Sequence, residues 1–136
     1  MAEMNFRPGT LAEVAERVTK DAYSFDMMIR EFLDSWQSLT KEQRSLAVQD
    51  EPQTLGPIED SYIAAVAEHL SASEGLAAQA WTEKPSRFLD VPSFAGGLES
   101  LKAALIVESP AAFRRRLIFI SANALDRPVR TVMPAE

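Results

Sequence analysis

From Ser24 to Trp36 the apolar residues Phe25, Met28, Ile29, Phe32, Leu33 and Trp36 recur at three- and four-residue steps, while Asp26, Arg30 and Asp34 mark the opposite stripe. A period of 3.6 with a charged back is the mark of a helix that buries one face. Few other structures can absorb such a pattern, so the rest of the chain must supply something for this face to pack against. Ion pairs on the outer stripe add only about 0.3–0.5 kcal/mol each, so the apolar face decides the element.

The flanking segments read the same way. Thr10 with Glu13, and Thr40 with Gln43, have the form of capping boxes. They predict a first helix ending near Asp21 and a short one through Ser45–Val48. Two prolines and a glycine between Gln49 and Pro57 mark a loop, and Pro57 suits a first helical position. Ile58, Tyr62, Val66 and Leu70 then form a stripe that ends near Gly75, a left-handed terminator. Leu76 to Trp81 predicts a short Ala-rich helix, followed by an irregular segment from Lys84 to Pro92. After Gly96-Gly97, the shared face of Leu98, Leu101, Leu105 and Ile106 predicts a buried helix. Ser109-Pro110 reads as a cap with a first-turn proline. Leu117 to Ile120 is apolar throughout, and periodicity does not settle whether it prolongs the preceding helix or forms a short strand; the favoured reading is one helical turn followed by an extended piece, with one further helical turn over Ser121–Leu125. The expected fold is all-α: one compact domain over residues 1–136, about six helices, one short extended segment near 117–120, and ragged ends at about 1–9 and 128–136. The expected core is Phe25, Ile29, Phe32, Leu33, Trp36, Tyr62, Val66, Leu70, Leu101, Leu105, Phe113 and Ile118.

A length of 136 residues fits one domain with a core of its own. The chain has no Cys, which removes disulfides and thiolate chemistry and fits a reducing interior. No apolar run approaches the ~20 residues of a membrane span. With no export signal at the start, the expectation is a cytoplasmic protein. Charge is uneven: residues 1–74 hold 14 acids and 6 bases, residues 75–136 hold 6 acids and 8 bases. Such asymmetry steers partners and disfavours duplex nucleic acid as the main ligand.

Catalysis needs a nucleophile with its base, a separated pair of carboxylates, or a bound ion. The single histidine, His69, has no second His for a helical zinc pair. Asp26, Glu31, Asp34 and Glu59, Asp60 read as solvated helix faces, with carboxylate chemistry as the rival. The glycines match no phosphate-binding loop. The expectation is no enzyme, no cofactor and no metal site. Two constellations remain. The aromatic–proline segment Trp81, Pro85, Phe88, Leu89, Pro92, Phe94 must be covered, either by its own core or by a partner. Arg114-Arg115-Arg116 spread over about 200° of a helix at ~100° per residue. They cannot all face one way, so one should meet an acid of the N-terminal half while the others face solvent, an acidic partner or phosphate.

The strings Tyr62–Leu70, Ala80-Trp81-Thr82, Arg87-Phe88-Leu89 and Glu108-Ser109-Pro110-Ala111-Ala112-Phe113-Arg114-Arg115-Arg116-Leu117-Ile118-Phe119-Ile120 resemble a group of small, largely uncharacterised bacterial proteins. The resemblance runs from about Leu11 to Arg127. Members of that group are regarded as antitoxin-like partners of nucleotidyltransferase-type toxins, some with the module behind a helix-turn-helix domain. This chain has no room for that domain, so the resemblance does not imply DNA binding, and it brings no catalytic residue. It implies a non-catalytic interaction module that binds and restrains a partner protein, with aromatic and arginine anchors at Trp81, Arg87, Phe88, Arg114, Arg115 and Phe119. The rival expectations are a small nucleic-acid-associated regulator using Arg114–Arg116 with Arg127 and Arg130, a homodimeric structural protein, and an enzyme centred on His69.

Overall fold

The computed structural model describes residues 7–95 and 101–126. Six α-helices occur among them: α1 (Leu11–Asp21), α2 (Phe25–Trp36), α3 (Lys41–Ala47), α4 (Pro57–Ser73), α5 (Lys102–Glu108) and α6 (Ala111–Arg114). Two 3-10 turns, Ala80–Glu83 and Pro85–Arg87, follow α4. Strands β1 (Ser93–Phe94) and β2 (Ile118–Phe119) pair in parallel, Ser93 opposite Ile118 and Phe94 opposite Phe119. The mainly helical class read from the sequence is the class observed.

Local chemistry explains where the helices start. The Thr10, Ser24 and Thr40 hydroxyls accept hydrogen bonds from the N–H groups of Glu13, Met27 and Gln43, at 3.0, 3.0 and 3.2 Å. Each satisfies a donor the helix cannot use itself and contributes about 1 kcal/mol. At Thr40 the box is complete, since Gln43 Oε1 accepts from the Thr40 N–H at 2.8 Å. Glu13 instead reaches one residue further back, to the Gly9 N–H at 2.7 Å. Helix α4 begins at Pro57 as expected, and the Asp60 carboxylate accepts from the Leu55 N–H at 2.7 Å.

Helix α4 is the axis of the molecule. Ser61, Ile63, Ala64, Ala65, Val66 and Ala67 are all buried, and it packs against α6 and both 3-10 turns. Small residues on several sides let neighbours approach from several directions. The inner face of α2 supplies Met28, Ile29, Phe32, Leu33 and Trp36 to the same core. Tyr62 links the two halves, with ring centroids 5.8 Å from Phe25 and 5.0 Å from Phe113.

Four expectations fail. Leu76 to Gln79 is not helical, because Gly75 turns left-handed (φ 69°) and the Leu76 N–H closes back onto Ser71 O at 2.8 Å. Ser109 does not cap α6. It is buried, and its hydroxyl accepts the Ile120 N–H at 2.9 Å while bonding Leu105 O, so it ties β2 to the end of α5. Helix α5 buries only Leu105. Leu101 and Ile106, expected in the core, are 46% and 45% exposed, and Val107 is 78% exposed. Ser121 to Leu125 forms turns and no helix. The extended piece is present: Leu117 adopts φ 63° and swings the chain out of α6 into β2. Gly96-Gly97, Leu98 and the ends beyond 7 and 126 lie outside the described residues.

Candidate functional site

Of the six expected anchors, Trp81, Arg87 and Phe119 are buried. Trp81 is 6% exposed, and its indole N–H donates to Val48 O at 3.1 Å. Arg87 is fully buried, with its guanidinium 5.0 Å over the Trp81 ring. It donates to Pro52 O at 2.7 Å, Glu51 at 3.2 Å and Asp60 O at 3.3 Å, while Nε has no partner. Phe119 is 7% exposed and stacks on Phe94 at 4.8 Å. Trp81, Arg87 and Phe119 therefore cannot serve as surface anchors in this arrangement. Within the aromatic–proline segment Trp81 is covered by the protein's own core, Phe88, Leu89 and Phe94 are half-buried, and Pro85 and Pro92 are exposed.

The other three sit at the edge of this core. Phe88 is half-buried under Arg115 and Arg116, whose guanidinium carbons lie 5.0 and 4.5 Å from the ring centroid. Exposed Arg114 donates to Ser109 O at 2.8 Å. Arg115 bonds Glu68 at 2.8 Å and forks onto both carboxylate oxygens of Glu83 at 2.8 and 2.9 Å.

The residue that the anchor set omits is Arg116. It is fully buried and donates to Thr82 O at 2.8 Å, Ala112 O at 2.9 Å and Arg87 O at 3.1 Å, and also to Glu68. One arginine of the run is expected on an acid of the N-terminal half; two of them, Arg115 and Arg116, meet Glu68, and α6 ends at Arg114, so both lie in the turn that follows the helix. Together Arg87 and Arg116 clamp the two 3-10 turns between α4 and α6. Each uses the planar guanidinium fork, which a lysine cannot reproduce. The Arg115 fork holds the Glu83 carboxyl below the usual carboxylate range, and Glu83 with Glu68 raises Arg115 further. Lys84 and Arg87 lower Glu51 in the same manner.

These contacts bear on the rival chemistry. Arg116 is sealed and Arg115 is matched by two carboxylates; Arg127 and Arg130 lie outside the described residues. His69 is half-buried edge-on to Phe113 at 6.4 Å. Among the described residues, no group of three His, Cys, Asp or Glu is placed to hold a metal ion, and no helix is long and apolar enough to cross a membrane. The acidic residues read as solvated faces divide: Glu31 pairs with Arg7 at 2.9 Å and Asp60 is 6% exposed, while Asp26 is open.

Two surface features remain open. One is the outer face of α5. The other is a groove of about 370 Å³ where the first turns of α2 and α4 meet the ribbon, with Phe25, Ile58, Tyr62, Ile118 and Ile120 as apolar walls. Burial, with Asp26 nearby, pushes the Tyr62 hydroxyl up to about 12. The sequence could have pointed to the groove only through Ser93 and Ala95, small residues beside a proline-stiffened turn. Comparison of the chain with known protein families, with curated proteins and with solved structures finds no match.

Proposed function

We propose that this chain is a non-catalytic protein-interaction module, an antitoxin-like component that binds and restrains a partner protein. The observation that carries the reading is α5. Its Leu101, Ala103, Ala104, Ile106 and Val107 are exposed, and only Leu105 reaches the core. A helix with this much uncovered apolar surface marks a contact site on a small domain. The arginine clamp supports the reading by holding α6 and the 3-10 turns rigid, which lowers the ordering cost of association.

The test is copurification from the native host of tagged chain and of a Val107→Glu variant, with the captured protein co-expressed to score relief of its toxicity. A partner retained by the parent, lost by Val107→Glu and restrained in growth assays is the expected result. Retention of nothing, with a solution mass of two chains that Val107→Glu reduces to one, would replace the reading with a homodimer.

A further inference from the structure

The groove beside the ribbon has a geometry that selects its occupant. Side chains alternate across a strand. Phe94 and Phe119 stack on one face of the ribbon, with the Lys102 ammonium 5.0 Å over the Phe94 ring. Ser93, Ala95, Ile118 and Ile120 line the groove. The groove stays open because β1 contributes only a hydroxymethyl and a methyl there. Ile58, Glu59 and Ser93 also line a second hollow of about 480 Å³, which continues the channel past Leu89, Asp90 and Val91. Ile58 and Val91 are 52% and 72% exposed along it.

The charge of the channel has one sign. Asp26, Glu59 and Asp90 line it, and among the described residues no Lys or Arg does. Among the described residues none of these three carboxylates has an ion pair, whereas Glu13, Glu31, Glu51, Glu68, Glu74 and Glu83 each meet a base. Among the described residues the β1–β2 ribbon has two strands, and no other strand pairs with the outer edge of β1. An extended chain lying in the channel would meet apolar walls below and carboxylates along the rim.

We propose that this channel receives an extended segment of the partner protein in which Lys or Arg residues are interleaved with aliphatic ones. The aliphatic side chains seat on Phe25, Ile58 and Val91, and the cations meet Asp26, Glu59 and Asp90. This rests on the interaction reading above but uses a different surface from α5, so the two can fail separately. Charge complementarity of this kind sets specificity and association rate, and it weakens with salt.

The experiment pans a random 12-residue peptide library on phage against the full chain, then measures the enriched peptides by fluorescence polarisation. Expected are peptides with two or more Lys or Arg separated by Val, Ile or Leu. Their affinity should fall at least tenfold in the Asp26→Asn/Glu59→Gln double variant, fall comparably in Ala95→Phe, and fall again with added salt. The surface double variant guards against misfolding of Ala95→Phe. Enrichment of acidic or uncharged peptides overturns the proposal, as does enrichment of none, which a groove filled by the chain itself would give. So does binding that survives both groove changes but is lost in Val107→Glu, which would leave the α5 reading intact. Sedimentation showing a dimer that Ala95→Phe dissociates assigns the groove to a second copy and overturns it equally.

Discussion

Replacing Arg116 by Met tests whether the clamp holds the domain together. Arg116 is fully buried and its guanidinium serves three main-chain carbonyls, Thr82 O, Ala112 O and Arg87 O, besides Glu68. Met keeps much of the stem volume against Phe88 but leaves those carbonyls without their donor. A buried group that loses its partner costs about 1–3 kcal/mol, and breaking a buried charged arrangement by one partner costs about 3–5 kcal/mol. Ala112 O lies in the last turn of α6 and has no helical donor to fall back on, since the Arg116 N–H bonds Phe113 O, while Glu68 keeps Arg115. A loss of about 3–4 kcal/mol is therefore expected, or roughly 10–15 °C in Tm for a domain of this size. That is a large share of the 5–15 kcal/mol typical of a whole domain. Both tryptophans, Trp36 and Trp81, are buried, so urea unfolding followed by intrinsic fluorescence reads the change directly. Arg114→Met is the internal control: Arg114 is exposed and has one bond, to Ser109 O, and should cost under about 1 kcal/mol. Equal losses for the two arginines, or less than about 1 kcal/mol at Arg116, would refute the reasoning. A cycle with Glu68→Gln should show coupling, because the pair shares one network.

Two further outcomes can be checked on the same instrument. Ala22 ends α1 in the left-handed region at φ 58° while exposed to solvent; Ala22→Gly should raise stability by about 0.5–1 kcal/mol, since glycine relieves the Cβ clash at modest entropic cost. Tyr62 is raised from 10.0 to about 12 by burial and by Asp26, so its neutral form is the one the fold prefers. Its contribution is intact below pH 10, where the unfolded chain begins to ionise, and is lost as pH rises to about 12. Tyr62→Phe should flatten that alkaline decline, on the order of 2 kcal/mol, in denaturation curves taken between pH 9 and about 12.

The Arg114–Arg116 run shows how far residue spacing carries. Helical spacing at ~100° per residue said only that the three arginines could not all face one way, and nothing local distinguished Arg116 from its neighbours. The choice depends on Glu68, 48 positions away, and on Thr82 O, 34 positions away. Trp81, Arg87 and Phe119 misled for the same reason. Aromatic and arginine side chains suit a partner's pocket and a protein's own interior equally, and here the interior holds them. Leu101 and Ile106 misled in the opposite sense. Their spacing marks an apolar face, but periodicity says only that a face exists, and among the described residues no neighbour covers this one.

What the amino acids settled unaided is the helical class and the starts of α1 through α4, because caps, prolines and periodicity act within a few residues. Tertiary structure alone decided which arginine is sealed, which apolar helix stays bare, and that Ser93 and Ala95 face a channel lined by Asp26 and Glu59. Those outcomes are set by side chains meeting across dozens of intervening residues, and burial is a property of what arrives from elsewhere in the chain.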